Sequence, residues 1–214
     1  MAYFTTAELK AYLGITSSSD DAQIALIPDR VTEAINTYCH RHFEPESSHG
    51  PAASHTHYFT PLLETQGGDL LDWYTLNLNH DLAELTSITN GDGTAIAAGD
   101  VVLLPLNVMP TNMIRIKSAS GKFWTHSGSP EGAVQVAGKW SYSLDVPDDV
   151  KAAALRWGAH LYRLRTGATS VPADITVSAD GVASVSNRIP SDVAQMLKPY
   201  IRRSCHGQQP RRHP

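Results

Sequence analysis

Cysteine and histidine side chains, the usual ligands of zinc, gather at two places in the sequence. Residues 37–43 read TYCHRHF, and His55 and His57 alternate a little further on. Paired ligands on one face of an element can converge on one tetrahedral ion. Cys39 and His42 are three residues apart, so on a helix they share a face. A third ligand at a matching spacing is missing, and a metal-dependent enzyme built on these groups is a minor alternative.

Burial is the simpler explanation of Cys39. An apolar stripe precedes it at three- and four-residue steps, formed by Ile24, Ile27, Val31, Ile35 and Tyr38. A thiol that continues such a stripe behaves as a small hydrophobe. His40, Arg41 and His42 are then exposed groups at the end of a helix, where positive charge is favourable. We therefore expect no metal site and no cofactor.

Catalytic motifs are missing from the sequence. It contains no GxSxG, HExxH or GxxxxGK[ST] pattern and no GxGxxG that opens a helix. The Gly- and Asp-rich stretch NGDG at 90–93 lacks the remaining ligands of a calcium loop and is typical of a hairpin turn. Paired acids at 20–21 and 148–149 precede helical patterns, where capping explains them. The sequence predicts a protein that is not an enzyme.

The composition is that of a globular chain. It has 214 residues, 42% hydrophobic and 18% charged, which suits one domain or one domain with an insertion. No run approaches the roughly 20 apolar residues of a membrane span. The first ten residues lack the basic and apolar regions of a secretory signal, and two distant cysteines make no disulfide framework. We expect synthesis in a reducing cytoplasm and no membrane partner.

Charge is unevenly distributed along the chain. Residues 1–150 contain 7 Lys+Arg and 18 Asp+Glu, whereas residues 151–214 contain 10 Lys+Arg and 3 Asp+Glu. Most of the positive charge falls on one helical segment and on the C-terminal segment. This polarity fits either an acidic partner or a nearby nucleic acid, and solvated helix faces explain it equally well.

Helical patterns occupy both ends of the sequence. Thr5 and Glu8 have capping-box spacing before a short helix that ends near Gly14. A second helix follows and ends around residue 42, and Pro28 is expected to kink or split it. Near the C-terminus, Pro147 opens a third helix that ends at Gly167. A fourth starts near residue 190, after a loop with weak strand character.

Short extended runs fill the middle of the chain. Between residues 55 and 145 they read HYFT, DWYTLNLN, LTSITN, VVLLPL, MIRIK, KFWTH and AVQVAGKWSYS, with turn signals between them. The predicted fold class is α+β. A helical bundle of two N-terminal and two C-terminal helices carries an inserted antiparallel β subdomain. The predicted boundaries are 1–46 and 147–203 for the bundle, 47–146 for the subdomain, and 204–214 for a flexible basic tail.

Three segments resemble the head–tail connector, or adaptor, family of tailed bacteriophages and gene-transfer agents. The first is residues 9–43, with LKAYLGI, an acidic loop and a helix that ends AINTYCHRHF. The second is residues 136–167, VAGKWSYSLDVPDDVKAAALRWGAHLYRLRTG, and the third is residues 189–203, IPSDVAQMLKPYIRR. They cover about half the chain in the expected order. The basic tail and the His-rich loop at 47–57 depart from the family pattern.

The resemblance implies a structural protein of the virion neck. Family members form rings, typically of twelve copies, beneath the portal of the DNA-filled capsid. The implied partners are the portal protein, other copies of the chain, and a downstream neck, stopper or tail protein. Double-stranded DNA would pass through the ring without sequence recognition, during genome ejection. A lumen through which DNA slides is expected to be acidic or mixed, because many basic contacts bind phosphates tightly.

Residue assignments follow from the resemblance and from the distribution of charge. The residues expected to dock on the portal are Tyr200, Arg202, Arg203, Arg211 and Arg212. The residues expected at the contact between subunits are Arg41, Arg156, Arg163 and Arg165. The main alternative function is a DNA-binding protein that uses the basic helix at 150–165 and the tail. It predicts salt-dependent binding of the monomer to duplex DNA.

Overall fold

The computed structural model describes residues 2–45, 54–166, 175–177, 183–185 and 189–202. The helices are α1 (Thr6–Leu13), α2 (Asp21–Ile24), α3 (Ile27–Cys39), α4 (Asp148–Thr166) and α5 (Ser191–Leu197). The strands are β1 (His55–Phe59), β2 (Leu70–Asp72), β3 (Thr75–Thr89), β4 (Ala95–Ile96), β5 (Val101–Leu104), β6 (Thr111–Ile116), β7 (Val134–Trp140), β8 (Ile175–Val177) and β9 (Ala183–Val185). Two units result: a helical unit, residues 2–40 and 146–202, and a β unit, residues 41–145. The fold is therefore mixed α+β.

The ends of the first three helices follow from local sequence. Thr5 and Glu8 form the predicted capping box, and Gly14 ends α1 in the left-handed conformation with φ 70°. Pro28 lies in the first turn of α3, where its missing N–H costs nothing, so the predicted second helix is split into α2 and α3. Consequently three helices, instead of two, precede the β unit. His40 closes α3 with φ 53°, so the helix ends before residue 42.

Helix α4 is the centre of the helical unit, because it packs against α1, α3 and α5. The apolar faces of these helices supply the buried side chains, among them Leu9, Val31, Ile35, Val150, Trp157, Val193 and Leu197. Gly158 allows a close approach on this helix, since a Cβ there would lie 2.8 Å from Cζ of Phe4. Strands β8 and β9 pair antiparallel within the segment that showed weak strand character.

The β unit is built on one antiparallel sheet of seven strands with the order β1-β7-β3-β6-β5, and β2 and β4 also pair with β3. Strand β3 has 15 residues and pairs with β2, β4, β6 and β7. Its first half pairs with β2 and β6, and its second half pairs with β4 and β7. The predicted runs DWYTLNLN and LTSITN are therefore not separate strands. The first begins in β2 and contains a hairpin turn at residues 73–74, and both continue into β3.

A bulge in the middle of β3 explains how one strand serves both halves of the sheet. Asn79 has φ 52°, and the pairing register shifts between Asn77 and Leu82. The side chain of Asn79 donates to Oδ1 of Asp69 at 3.1 Å, which holds the bulge in place. Asn79 and His80 are left exposed between two buried stretches of the strand.

The core of the β unit is formed by the inward faces of its strands. Its fully buried members include Leu70, Leu76, Leu78, Leu82, Ile114, Ile116, Trp124, Val134 and Val136. The NGDG segment forms the predicted hairpin between β3 and β4, with Gly93 at φ 85°. Asn90 at its start is buried and donates from Nδ2 to the carbonyl of Phe123 at 3.0 Å. That hydrogen bond ties the turn to the segment before β7.

Candidate interaction surfaces

Arg41 forms a buried cluster within the β unit. Its Nε lies 3.4 Å from Oδ2 of Asp81, and the two side chains are 11% and 5% exposed. The guanidinium carbon also lies 5.2 Å from the ring centroid of Tyr142. The expected exposure of Arg41 at the helix end is therefore wrong, because the pairing with Asp81 turns it inward. Its contact with a neighbouring subunit stays a prediction.

The three arginines of α4 that were assigned to a subunit contact are exposed. Arg163 and Arg165 lie in the last turn of the helix, where positive charge complements the helix dipole. Arg156 lies two turns earlier. Its Nε is 3.3 Å from Oδ2 of Asp192 on α5, with both side chains about half exposed. The charge of Arg156 is thus balanced by Asp192 within the helical unit.

The segment assigned to portal docking is described as far as Arg202. Tyr200 ends a short 3-10 helix, Lys198–Tyr200, and its hydroxyl donates to Oδ2 of Asp149 at 3.4 Å. The backbone N–H of Arg202 donates to the carbonyl of Cys39 at 2.9 Å. These bonds join the end of the described chain to α3 and α4. Arg203, Arg211 and Arg212 lie outside the described residues.

The cysteine and histidine pattern that suggested zinc resolves into two unrelated features. Cys39 is fully buried at the end of α3, as the apolar stripe predicted, whereas His42 is exposed. His55 and His57 face the same side of β1 and are both half-buried. Within the described part of the chain, no group of three or more His, Cys, Asp or Glu side chains is arranged to hold a metal ion.

His57 lies in an open cleft of about 440 Å³ that is also lined by Asp69, Asn79 and His80. Its ring stacks on Trp140 and meets His80 edge to face, with 5.0 Å between the two imidazole centroids. Burial, followed by the nearby His80 and His55, lowers the pKa of His57 to about 4. At neutral pH this imidazole is uncharged, so it offers hydrogen bonds and a flat ring but no positive charge for an anion.

Four large apolar side chains form a second feature of the β unit, which we call the aromatic surface: Leu71, Trp73, Tyr74 and Phe123. Their exposed fractions are 45%, 52%, 36% and 53%. Trp73 and Tyr74 form the turn between β2 and β3. The next residue after Phe123 joins this turn, because Trp124 donates its N–H to the carbonyl of Trp73 at 3.0 Å and its indole N–H to that of Tyr74 at 2.9 Å.

A third feature, the hairpin tip, is the loop of residues 105–110 between β5 and β6. The last register pair before the loop is Leu104 with Met113. Leu106, Val108 and Met109 are 61%, 58% and 42% exposed. Sequence reasoning missed both apolar features, because large apolar residues in extended runs are expected to be buried. The signal in the sequence was an uncharged stretch, LPLNVMPTN at 104–112, flanked by two strands.

Helices long and apolar enough to span a bilayer are not found among the described residues. No protein-family model matches the chain, and no curated protein matches it.

Solved structures do resemble it. One is a chain in the structure "Neck of empty GTA particle computed with C6 symmetry", with 14% sequence identity and a TM-score of 0.54, covering 97% of this chain and 94% of that one. Another belongs to "Virion of native gene transfer agent (GTA) particle", with 18% identity, a TM-score of 0.45, and coverage of 79% and 84%. At these identities the likeness concerns the fold, so the chain has the fold of a chain in that GTA neck.

Proposed function

We propose that this chain is a structural adaptor of the neck of a tailed phage or of a phage-derived gene-transfer agent. The observation that carries the proposal is the likeness in fold to a chain of a GTA neck, which extends over nearly the whole of both chains. The resemblance of the three sequence segments to head–tail connectors points the same way. The proposed location is the virion, at the junction between head and tail, and the proposed role is structural, without catalysis.

In this role several copies, twelve by family resemblance, form a ring beneath the portal and continue the channel for DNA. A contact that pairs one surface with a different surface on the next copy closes into a ring when its rotation fits. The arginines Arg156, Arg163 and Arg165 are proposed at this contact, together with Arg41. A neck, stopper or tail protein binds the opposite side of the ring.

Portal docking is assigned to residues 190–214. Two hydrogen bonds hold the described end of this segment in place, one between Tyr200 and Asp149 and one between Arg202 and Cys39. Beyond that point the sequence contributes Arg203, Arg211 and Arg212 and no acidic residue. A positively charged segment of this kind is attracted to an acidic portal surface.

The decisive experiment is electron microscopy of the purified chain mixed with portal protein. The expected result is a ring on the portal, with a pore wide enough for duplex DNA. Removing residues 204–214 should reduce the bound fraction. A variant with the same eleven residues in scrambled order is the matched control, because it retains the charge. Unchanged co-assembly after the deletion contradicts the docking assignment, and absence of a ring on the portal contradicts the adaptor role.

DNA binding by the basic helix and tail is the competing function, and the same protein tests it. Arg156 is already paired with Asp192, which reduces the positive charge that α4 offers to phosphates. An adaptor is expected to show little affinity for duplex DNA as a monomer. Tight binding that weakens steeply between low and physiological salt would favour the competing function.

A further inference from the structure

The aromatic surface and the hairpin tip lie at opposite ends of strand β6. At one end, the N–H of Ile116 donates to the carbonyl of Tyr74 at 2.8 Å, which places the aromatic surface there. At the other end, Thr111 follows directly after the hairpin tip. The six residues of β6 separate the two features by about 17 Å, at roughly 3.4 Å per residue. Both features belong to one sheet, so this separation is set by backbone pairing.

The charged side chains around the aromatic surface already have polar partners within the same unit. Arg115 pairs with Asp72 at 3.2 Å, and Lys122 pairs with Asp100 at 2.8 Å. Lys117 donates to the carbonyl of Gly99 at 2.7 Å. The result is an apolar centre with a self-paired polar rim, which is the anatomy of a protein–protein interface. A nucleic acid, which requires unpaired positive charge along its backbone, would gain little here.

The hairpin tip is uncharged, like the four side chains of the aromatic surface. Residues 104–112 contain no ionisable side chain. Packing this loop on the aromatic surface therefore buries apolar side chains on both sides and leaves no charge without its partner. A strongly acidic or basic partner would lack a counterpart on either surface.

We propose that the hairpin tip of one copy packs on the aromatic surface of the next copy. This contact rests on the proposed ring function and identifies the surfaces that join neighbouring copies. The two surfaces differ, so the contact runs head to tail, and a pair of copies keeps one unused tip and one unused surface. A contact of this type extends until the ring closes. Trp73 and Phe123 are the anchors, because large exposed aromatic side chains dominate the energetics of interfaces.

Two variants separate the halves of the contact. The tip variant carries Leu106→Asp and Val108→Asp, and the surface variant carries Trp73→Ala and Phe123→Ala. Leu26→Asp is the matched control, since Leu26 is 73% exposed and belongs to the helical unit. Circular dichroism and thermal unfolding of each variant establish that it is folded. Self-association is measured by sedimentation velocity and mass photometry, over a range of concentrations and with portal present.

Each variant alone should self-associate at least tenfold more weakly than the wild-type chain, whereas the control should associate normally. A one-to-one mixture of the two variants should form dimers, because it retains one intact tip and one intact surface. The proposal is overturned by a mixture that stays monomeric, or by a wild-type chain that stays monomeric both alone and with portal. A surface variant that has instead lost binding to single-stranded DNA also overturns it, in favour of a nucleic-acid site.

The outcomes for the contact and for the adaptor role are distinguishable. If both variants still form rings on the portal, the proposed contact is wrong and the adaptor role stands. If the wild-type chain forms no ring on the portal but the mixture of variants still forms dimers, the contact stands and the adaptor role is wrong.

Discussion

His57 lies flat on Trp140, with ring centroids 3.9 Å apart and planes that differ by 5°. The stacking joins strands β1 and β7, and the indole N–H of Trp140 strengthens the junction by donating to the carbonyl of His55 at 2.8 Å. An imidazole held in this way stabilises the fold in its uncharged form, and the stability of the β unit therefore depends on pH.

The direction of that dependence follows from the pKa of His57, which burial lowers from 6.5 to about 4. Between these values the unfolded chain binds the proton and the folded protein does not, so the free energy of unfolding falls as pH drops from about 6.5 to 4. His57 is only half-buried, and solvent screening limits the loss to about 1–2 kcal/mol. His57→Phe retains the stacking and should remove this part of the pH dependence in urea titrations. His42→Gln, at an exposed histidine, should not change it. Equal pH slopes for wild type and His57→Phe would contradict the prediction.

The buried ion pair of Arg41 and Asp81 predicts a large stability effect. Asp81→Asn leaves the charge of Arg41 without its partner carboxylate in a site where both side chains are almost inaccessible. The free energy of unfolding should fall by about 3 kcal/mol. Glu84→Gln is the matched control, because Glu84 pairs with Lys139 at 2.8 Å but is 47% exposed, and it should cost less than about 1 kcal/mol. Similar losses for the two variants in chemical denaturation would show that burial of the pair is unimportant.

The close approach of β3 to Gly138 predicts that a side chain at this position lowers stability. A Cβ at this position of β7 would lie 2.3 Å from the carbonyl oxygen of Glu84 and 2.6 Å from Cδ1 of Leu82. Gly138→Ala must push β3 and β7 apart and should cost about 2–3 kcal/mol. Gly99→Ala meets no atom within 4 Å and should change stability by less than about 0.5 kcal/mol. A thermal melt of Gly138→Ala that coincides with wild type would be the contrary result.

The burial of Cys39 predicts that chelators do not change the stability of the protein. Its thiol is completely buried beside Ile35, so Cys39→Ala should lower the free energy of unfolding by about 1–2 kcal/mol through lost packing. EDTA should leave the unfolding midpoint of both proteins unchanged, in material purified without an affinity tag. If EDTA lowers the midpoint of the wild type but not of Cys39→Ala, the thiol is a metal ligand after all.

The features that sequence predicted are those that depend on neighbours in the chain. The capping box at Thr5, the buried stripe through Ile35 to Cys39, and the hairpin at 90–93 each rest on residues within a few positions. Features that depend on distant partners were missed. Arg41 was expected to be exposed because nothing near it in sequence indicates that Asp81, forty residues later, lies beside it.

Distant partners also decide features of the β unit that its sequence did not predict. The polar residues Asn79 and His80 separate two apolar runs, and sequence alone indicates a break in the strand there. The strand continues because Asp69, from a different segment, holds the bulge through Asn79. Trp73 and Phe123 were assigned to strands without any indication that they stay exposed, because exposure of an aromatic side chain depends on which surfaces the rest of the fold covers.

Strand β3 has a further consequence for cooperativity. Four other strands pair directly with it, so neither half of the sheet can lose β3 and remain paired. Opening of the β unit is therefore expected to proceed as one event, with partial opening confined to the outermost strands β1 and β5. Amide protons of β3 that bond to β6 and β7 on either side of the bulge should exchange with solvent only at the rate of global unfolding, so the β unit is expected to unfold as one cooperative element.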